Sequence, residues 1–473
     1  MRSLRACLFI ASLLAAGAAQ AQGSPTSTDD SLTWKGVTLY GIVDIGLQYQ
    51  THGTPVSDYF PAGTAEPIQK NSNNSVTGLT PSNLSQSRIG LAGNEPLVGD
   101  WAGVFRLETF FNPQSGDLSD GLKSLALMNG RTLTAQTTNV DTSVAGQVFA
   151  GAAYAGFSSP TFGTLTFGRH PTPLADGIAK YDPTGASQAF SLIGFSGTTA
   201  GGGDTEDRRL DQSMKYTLKY DWLHLGGLYQ FSGSRGSTNT AIQATVGADF
   251  AGLSVDAYYA KKYNAVGAAA LSAAQVSGLP TLCANSVIPP TNPTGAECYS
   301  VSNSLSGTIS DNTTGAIMAL YNFGAVLPVT VYAGYEHITF QNPNNPYSSG
   351  QLIIGGYVLA YVNNAAYDEE KILNVFWAGA KYSPIPALDL IVDYNGYHQD
   401  AYATGADAGC SSATVSSKCS GNESTVSFVA DYHFNKRFDG YVGTMYSTVS
   451  GGLANEFLNT NTLASTIGVR FKF

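Results

Sequence analysis

Residues 463–473 read LASTIGVRFKF, and the alternation within this stretch decides the fold. Ile467, Val469, Phe471 and Phe473 share one parity, while Thr466, Gly468, Arg470 and Lys472 share the other. Successive strand residues point to opposite faces, so the segment has one apolar and one polar wall. The same period opens the chain. Val37, Leu39, Val43, Ile45, Leu47 and Tyr49 oppose Thr38, Tyr40, Asp44, Gln48 and Gln50. It recurs where Met214, Tyr216, Leu218 and Tyr220 alternate with Ser213, Lys215, Thr217 and Lys219.

A soluble β-sandwich would alternate in the same way, and length separates the two cases. These segments run to about ten residues or more, whereas globular strands average about 5–6 and tilted membrane strands need about 9–11. Their apolar faces end in aromatics, as interfacial girdles do. About sixteen strands are expected, at 36–50, 84–93, 100–111, 145–157, 161–169, 209–220, 222–232, 240–250, 252–263, 312–323, 325–340, 371–382, 386–399, 423–434, 436–448 and 463–473. Tight turns alternate with long connections near 51–83, 112–144, 170–208, 264–311, 341–370, 400–422 and 449–462, with a shorter one at 233–239. The expected fold is therefore all-β, a transmembrane antiparallel β-barrel with long external loops. Hydrocarbon offers no partner to an open strand edge, so a spanning sheet must close. Closing about sixteen strands leaves a lumen too wide for wall side chains to fill, which becomes an aqueous channel.

Composition agrees. Charged residues are only 12%, while Gly (53), Tyr (26) and Phe (22) are abundant and Met is scarce (5). Thr, Val and aromatics favour strands. The first 21 residues read as a cleaved secretory leader: Arg2 and Arg5, an apolar run from Leu8 to Ala16, then Ala19-Gln20-Ala21. That run is too short to span a bilayer, which needs about 20 apolar residues. Residues 22–473 are then the barrel. The leader removes two arginines and no acid, leaving 22 basic and 34 acidic residues and a charge of −12. An acidic exported chain is a poor partner for nucleic acid. Cys283, Cys298, Cys410 and Cys419 remain, an even number in an oxidising compartment, and all are disulfide candidates. The local pairings are Cys283–Cys298 and Cys410–Cys419; neither pair has metal-ligand spacing, and no metal site is expected.

Four stretches together resemble a known family. They are Val37-Thr-Leu-Tyr40-Gly41-Ile-Val-Asp44; Ser87-Arg88-Ile-Gly90-Leu91-Ala-Gly93-Asn-Glu95 running on through Phe105-Arg-Leu107-Glu108 to Phe111-Asn112-Pro113; Phe162-Gly163 to Gly168-Arg169, with Thr172-Pro173-Leu174 and Ala179-Lys180-Tyr181-Asp182-Pro183; and Tyr432-His-Phe434-Asn435-Lys436-Arg437. The family usually has Ser where Asn435 stands, Thr at Phe438 and often His at Phe471. The chain resembles the trimeric general diffusion porins of Gram-negative bacteria, particularly those of the Burkholderia and Bordetella group, over nearly its whole mature length.

The resemblance implies an outer-membrane homotrimer that passes ions and small hydrophilic solutes, with lipid around it and no cofactor. It implies that the third long loop, 170–208, folds inward as a constriction loop. Asp176 and Asp182 would then face Arg88 and Arg209 across the pore, and Phe473 would be the signal read at assembly. Parity, read independently, turns Arg88 inward because Ile89 and Leu91 face lipid. It likewise turns Arg106 and Glu108 inward, and Arg209, Asp211 and Lys215; Arg169 shares the parity of Phe167 and is left off the pore. Any water-filled barrel tolerates inward charge, so charge alone is weak evidence for a constriction.

No enzyme is expected. The sequence has no Gly-x-Ser-x-Gly elbow, phosphate loop or metal-ligand cluster. Asp431 and His433 share a strand face as neighbouring wall residues. Two other readings fit a barrel: a channel selective for one small anion or nutrient, and a surface adhesin working through its loops.

Overall fold

The computed structural model describes residues 32–473 except 54, 60–73, 121–146, 194–207, 232–239, 267–308, 325–326, 343–352, 355–356, 359–366, 368 and 456. The expected leader and the Cys283–Cys298 pair lie outside the described residues. Sixteen antiparallel strands form the wall. They are β1 (Val37–Gly53), β2 (Asn74–Pro81, resumed as Arg88–Pro96), β3 (Ala102–Phe110), β4 (Ala152–Ser159), β5 (Gly163–Pro171), β6 (Arg209–Tyr220), β7 (Leu223–Gln230) and β8 (Ala241–Phe250). They continue as β9 (Leu253–Val266), β10 (Ile309–Asn322), β11 (Val329–Gln341), β12 (Lys371–Ile385), β13 (Leu388–Gln399), β14 (Gly421–His433), β15 (Phe438–Gly451) and β16 (Asn461–Lys472).

Each strand pairs with its neighbours in sequence, and β16 returns to β1 in the register Ile42↔Lys472 through Gln50↔Ala464. That closure leaves no edge for lipid to meet. The terminal residue completes it, since Gly41 and Phe473 exchange both backbone hydrogen bonds, at 2.9 and 3.1 Å. Gly41 has no side chain where the Phe473 ring lies, so a Cβ there would collide with it. Short turns join the strands at the same end. Ala251 and Gly252 both have positive φ, the two-residue geometry whose twist suits a hairpin. Also at this end, Arg470 of β16 ties Asp431 of β14 and Asp439 of β15, at 2.9 and 2.7 Å.

The second strand departs from expectation. It starts at Asn74, ten residues before the expected 84, and is interrupted in the middle. β1 pairs with its first half up to Ile45↔Pro81 and with its second half from Ile42↔Arg88. Opposite Val43 and Asp44, six residues, 82–87, leave the wall as a buried turn. The turn breaks the period-two pattern, which is why the first half reads as loop.

Outward residues such as Ile89, Leu91, Tyr259, Ile317 and Phe428 are exposed on the lipid side. The inner face is not uniformly polar. Tyr258, Met318, Ile338, Phe340, Leu373, Val375, Trp377 and Tyr397 point inward from β9 to β13 and are buried in one apolar cluster. These strands carry large apolar residues on both faces, with buried polar groups such as Asp256 and Asn395 among the inward ones, because something fills that side of the lumen.

Candidate functional site: the constricted lumen

The filler is the third long loop. It begins with a helix, α1 (Pro173–Tyr181), whose first turn has a standard start. The Thr172 side chain accepts from Ala175 N–H, Pro173 needs no donor, and Asp176 sits near the positive helix end while Lys180 sits near the negative one. Leu174, Ile178 and Tyr181 form one apolar face at helical spacing, and all three are buried in the inner cluster. Burial of Leu174 and Ile178 contributes about 1.5–3 kcal/mol each. Gly177 lets the helix approach Tyr258, for a Cβ there would meet the phenol. Trp377 Nε1 donates to Tyr181 O at 2.9 Å, and Tyr181 Oη donates to Asp256 at 2.6 Å. Burial and the neighbouring Asp256 push the Tyr181 phenol pKa up, so it stays a donor.

Beyond the helix the loop is fastened at two places. Asn395 Oδ1 on β13 accepts from Leu192 N–H at 2.7 Å and from Ser191 Oγ at 3.1 Å. Asn83 O, on the inward turn 82–87, accepts from Ser187 Oγ at 2.8 Å and Ala189 N–H at 3.0 Å.

Across the remaining opening stands a cluster of guanidinium groups. Arg106 donates to Tyr40 Oη at 2.6 Å and to Glu108 at 2.5 Å, and Arg88 lies 4.0 Å from Glu108. Arg209 lies 4.4 Å over the Phe110 ring, within electrostatic reach of Arg208, Arg169, Arg88 and Glu108. Arg169 is buried, donating to Ala150 O and to Asp211 at 2.6 Å. Among the described residues, these arginines and Arg208 gather about Glu108 and Asp211. A recess of about 620 Å³, lined by Tyr40, Arg106, Tyr154, His170, Asp176 and Lys215, opens beside them. A second, of about 660 Å³, adjoins it beside Lys180, Lys219 and His224.

The residues expected at the constriction separate into two groups. Arg88, Arg106, Glu108 and Arg209 come together. The loop acids do not form a row facing them. Asp176 is bonded to Lys215 on β6, and that lysine also donates to Pro171 O. Asp182 is buried against the wall, accepting from Thr184 Oγ1 and Ala186 N–H, both at 2.6 Å, beside Asp393 and Ser191. Burial holds the Asp182 carboxyl pKa above its ordinary range. Asp211, turned inward by parity, is half-exposed on Arg169, because Gln212 has φ 51 and breaks the alternation between Ser213 and Leu210. The extra residue lies on β6, where Ser213 to Leu210 spans three residues against two from Gly168 to His170, so Arg169 keeps the parity of Phe167 and it is Asp211 that comes to meet it. Arg208 lies in a loop and carries no parity. Cys410 and Cys419 are disulfide-bonded in the loop between β13 and β14.

A closed, sixteen-stranded, lipid-faced barrel with an inward loop and a charged opening defines a transmembrane diffusion channel. The chain belongs to the Gram-negative porin family, whose sequence profile matches residues 6–452. It is an outer-membrane protein and a channel for passive diffusion. No curated protein matches it. Among solved structures, the anion-selective porin from Comamonas acidovorans superposes with a TM-score of 0.56 at 18% identity, over 92% of this chain and 99% of that one. OmpT, an outer-membrane protein of Vibrio cholerae, gives 0.53 at 13% identity, over 94% and 100%. The outer-membrane channel DcaP of Acinetobacter baumannii gives 0.50 at 13%, over 92% and 97%. At such identities the likeness is one of fold.

Proposed function

We propose that this porin is a general diffusion channel that favours small anions and works as a homotrimer after loss of residues 1–21. The observation that carries the anion preference is the gathering of Arg88, Arg106 and Arg209 around the single described carboxylate of Glu108. Of the two loop acids that the resemblance would set against it, Asp176 is engaged by Lys215 and Asp182 in the wall. Fixed charge beside a narrow wet gap biases which ions pass, and low-dielectric walls strengthen the field. The −12 of the mature chain does not decide the matter, since selectivity follows the charge nearest the opening. The trimer rests on the resemblance of the four sequence stretches, as does the reading of Phe473 as an assembly signal.

Purified protein in a planar bilayer under a salt gradient tests this. Expected are large ohmic steps in threes, and a reversal potential of the sign set by chloride. Replacing Arg88 and Arg209 together by Gln should shift that potential toward the cation value. An unchanged potential would remove the filter assignment. Flux that saturates with one solute would favour the substrate-selective channel instead.

A further inference from the structure

The constriction loop's tip rests only in part on the regular wall, where Phe190 meets Tyr441 of β15. It also rests on the inward turn 82–87, whose successive backbone donors converge on one side chain. Asp44 is fully buried on β1, at the level where β2 leaves the sheet. Its Oδ2 accepts from Leu84 N–H and Ser85 N–H at 3.0 and 2.9 Å. Its Oδ1 accepts from Asn83 N–H at 3.1 Å and from Tyr441 Oη at 2.6 Å. Three successive backbone donors converging on one carboxylate make an anion nest, and here the anion is built in. The Asp44 backbone completes the closure, its O accepting from Ser82 N–H and its N–H donating to Ser87 Oγ.

The chain of contact continues to the pore. Asn83, whose N–H is held by Asp44, offers its O to Ser187 and Ala189 of the loop. Tyr441 touches both ends, donating to Asp44 and accepting from Asn83 Nδ2 at 3.0 Å, while its ring meets Phe190 of the loop edge-on at 6.5 Å. The wall is cut back to make room. Gly468 has no Cβ where the Tyr441 phenol lies, and Gly443 has none where Phe190 lies.

We propose that Asp44 is the positioning residue of the constriction loop. Through the turn 82–87 it sets where the loop tip stands, and so the free bore, without itself facing the solute. This rests on the diffusion-channel reading above. Asn at this position would turn one end of the amide, a donor, toward donors, so two of the four hydrogen bonds must be lost.

The test is single-channel recording of the full-length trimer carrying Asp44→Asn, and separately Tyr441→Phe, which removes one donor with little change of shape. Both should keep the parent's gel mobility before and after heating. Both should lose the single quiet open level of the parent and show added current noise and sub-levels, more for Asp44→Asn. Ser191→Cys with Asn395→Cys, residues already in contact, should quench that noise on oxidation by tethering the loop elsewhere. Parent-like quiet current in both variants would overturn the proposal, as would noise that the oxidised tether leaves untouched. A parent protein that conducts nothing would instead overturn the channel reading.

Discussion

Glu108 shows how much one side chain can settle. It is buried on β3 and accepts from Arg106 and Tyr40, with Arg88 nearby. It both orients the arginines and subtracts from their charge. Glu108→Gln should therefore raise anion preference, seen as a larger reversal potential of the same sign. Asp182 supplies a pH test. Its raised pKa means that the docked loop holds a proton more tightly than a free loop would. Docking is then at full strength below the ordinary carboxyl range and weakens as pH rises through the raised value. Open-channel noise should grow as pH rises above about 4, and Asp182→Asn, a permanently neutral side chain beside Asp393, should flatten the trend. At this scale the sequence is legible where the strand is regular. Arg88, Arg106 and Glu108 follow from the parity of Ile89, Phe105 and Leu107. Asp211 does not, because a bulge at Gln212 on β6 resets the parity that assigns it and turns it to Arg169. Asp44 reads as an ordinary inward polar residue, since its partners at 83–85 come from a turn the sequence does not announce.

Among the elements, most strands with one lipid face are readable to within a few residues, though β4, expected at 145–157, begins only at Ala152. β6 is found at the expected 209–220 because Met214, Tyr216 and Leu218 alternate cleanly with lysines and threonine. The first half of β2, NSVTGLTP, carries few large apolar residues and ends at the inward turn, so its period is too short to recognise. The helix α1 was implied only as part of an inward loop, although Thr172-Pro173 is a fair start signal. The loop between β13 and β14 has its own staple. Gln399 Nε2 donates to Ser417 O and Cys419 O, and the Cys410–Cys419 disulfide closes the segment. Such a bond contributes about 2–4 kcal/mol of restraint. Replacing both cysteines by serine should make residues 400–420 sensitive to limited proteolysis while the barrel keeps its melting temperature. Equal resistance in the variant would show the hydrogen bonds suffice.

For the whole molecule, strand number and closure were open to reading because hydrocarbon imposes them on any exported chain with this alternation. The lopsided lumen was not, since an inward apolar face looks like a lipid face in sequence. The opening therefore lies to one side, against β2–β6. The anion preference proposed for it would act through space over several ångströms. The Debye length falls from about 10 Å at 0.1 M to about 3 Å at 1 M salt. Reversal potentials at a fixed concentration ratio should therefore shrink toward zero as mean salt rises. A potential independent of salt would mean that contact at the arginines, rather than their field, selects the ion.

The strands from β9 to β13 also have a history before the barrel exists. Trp377 and Phe376 point to opposite sides of one strand, and neither side is water-compatible. Until lipid takes one face and α1 the other, this stretch is adhesive in both directions, as aggregation-prone segments are. The most hazardous interval for this chain is thus its crossing of the periplasm, and the helix that narrows the finished pore is also what covers the last sticky surface.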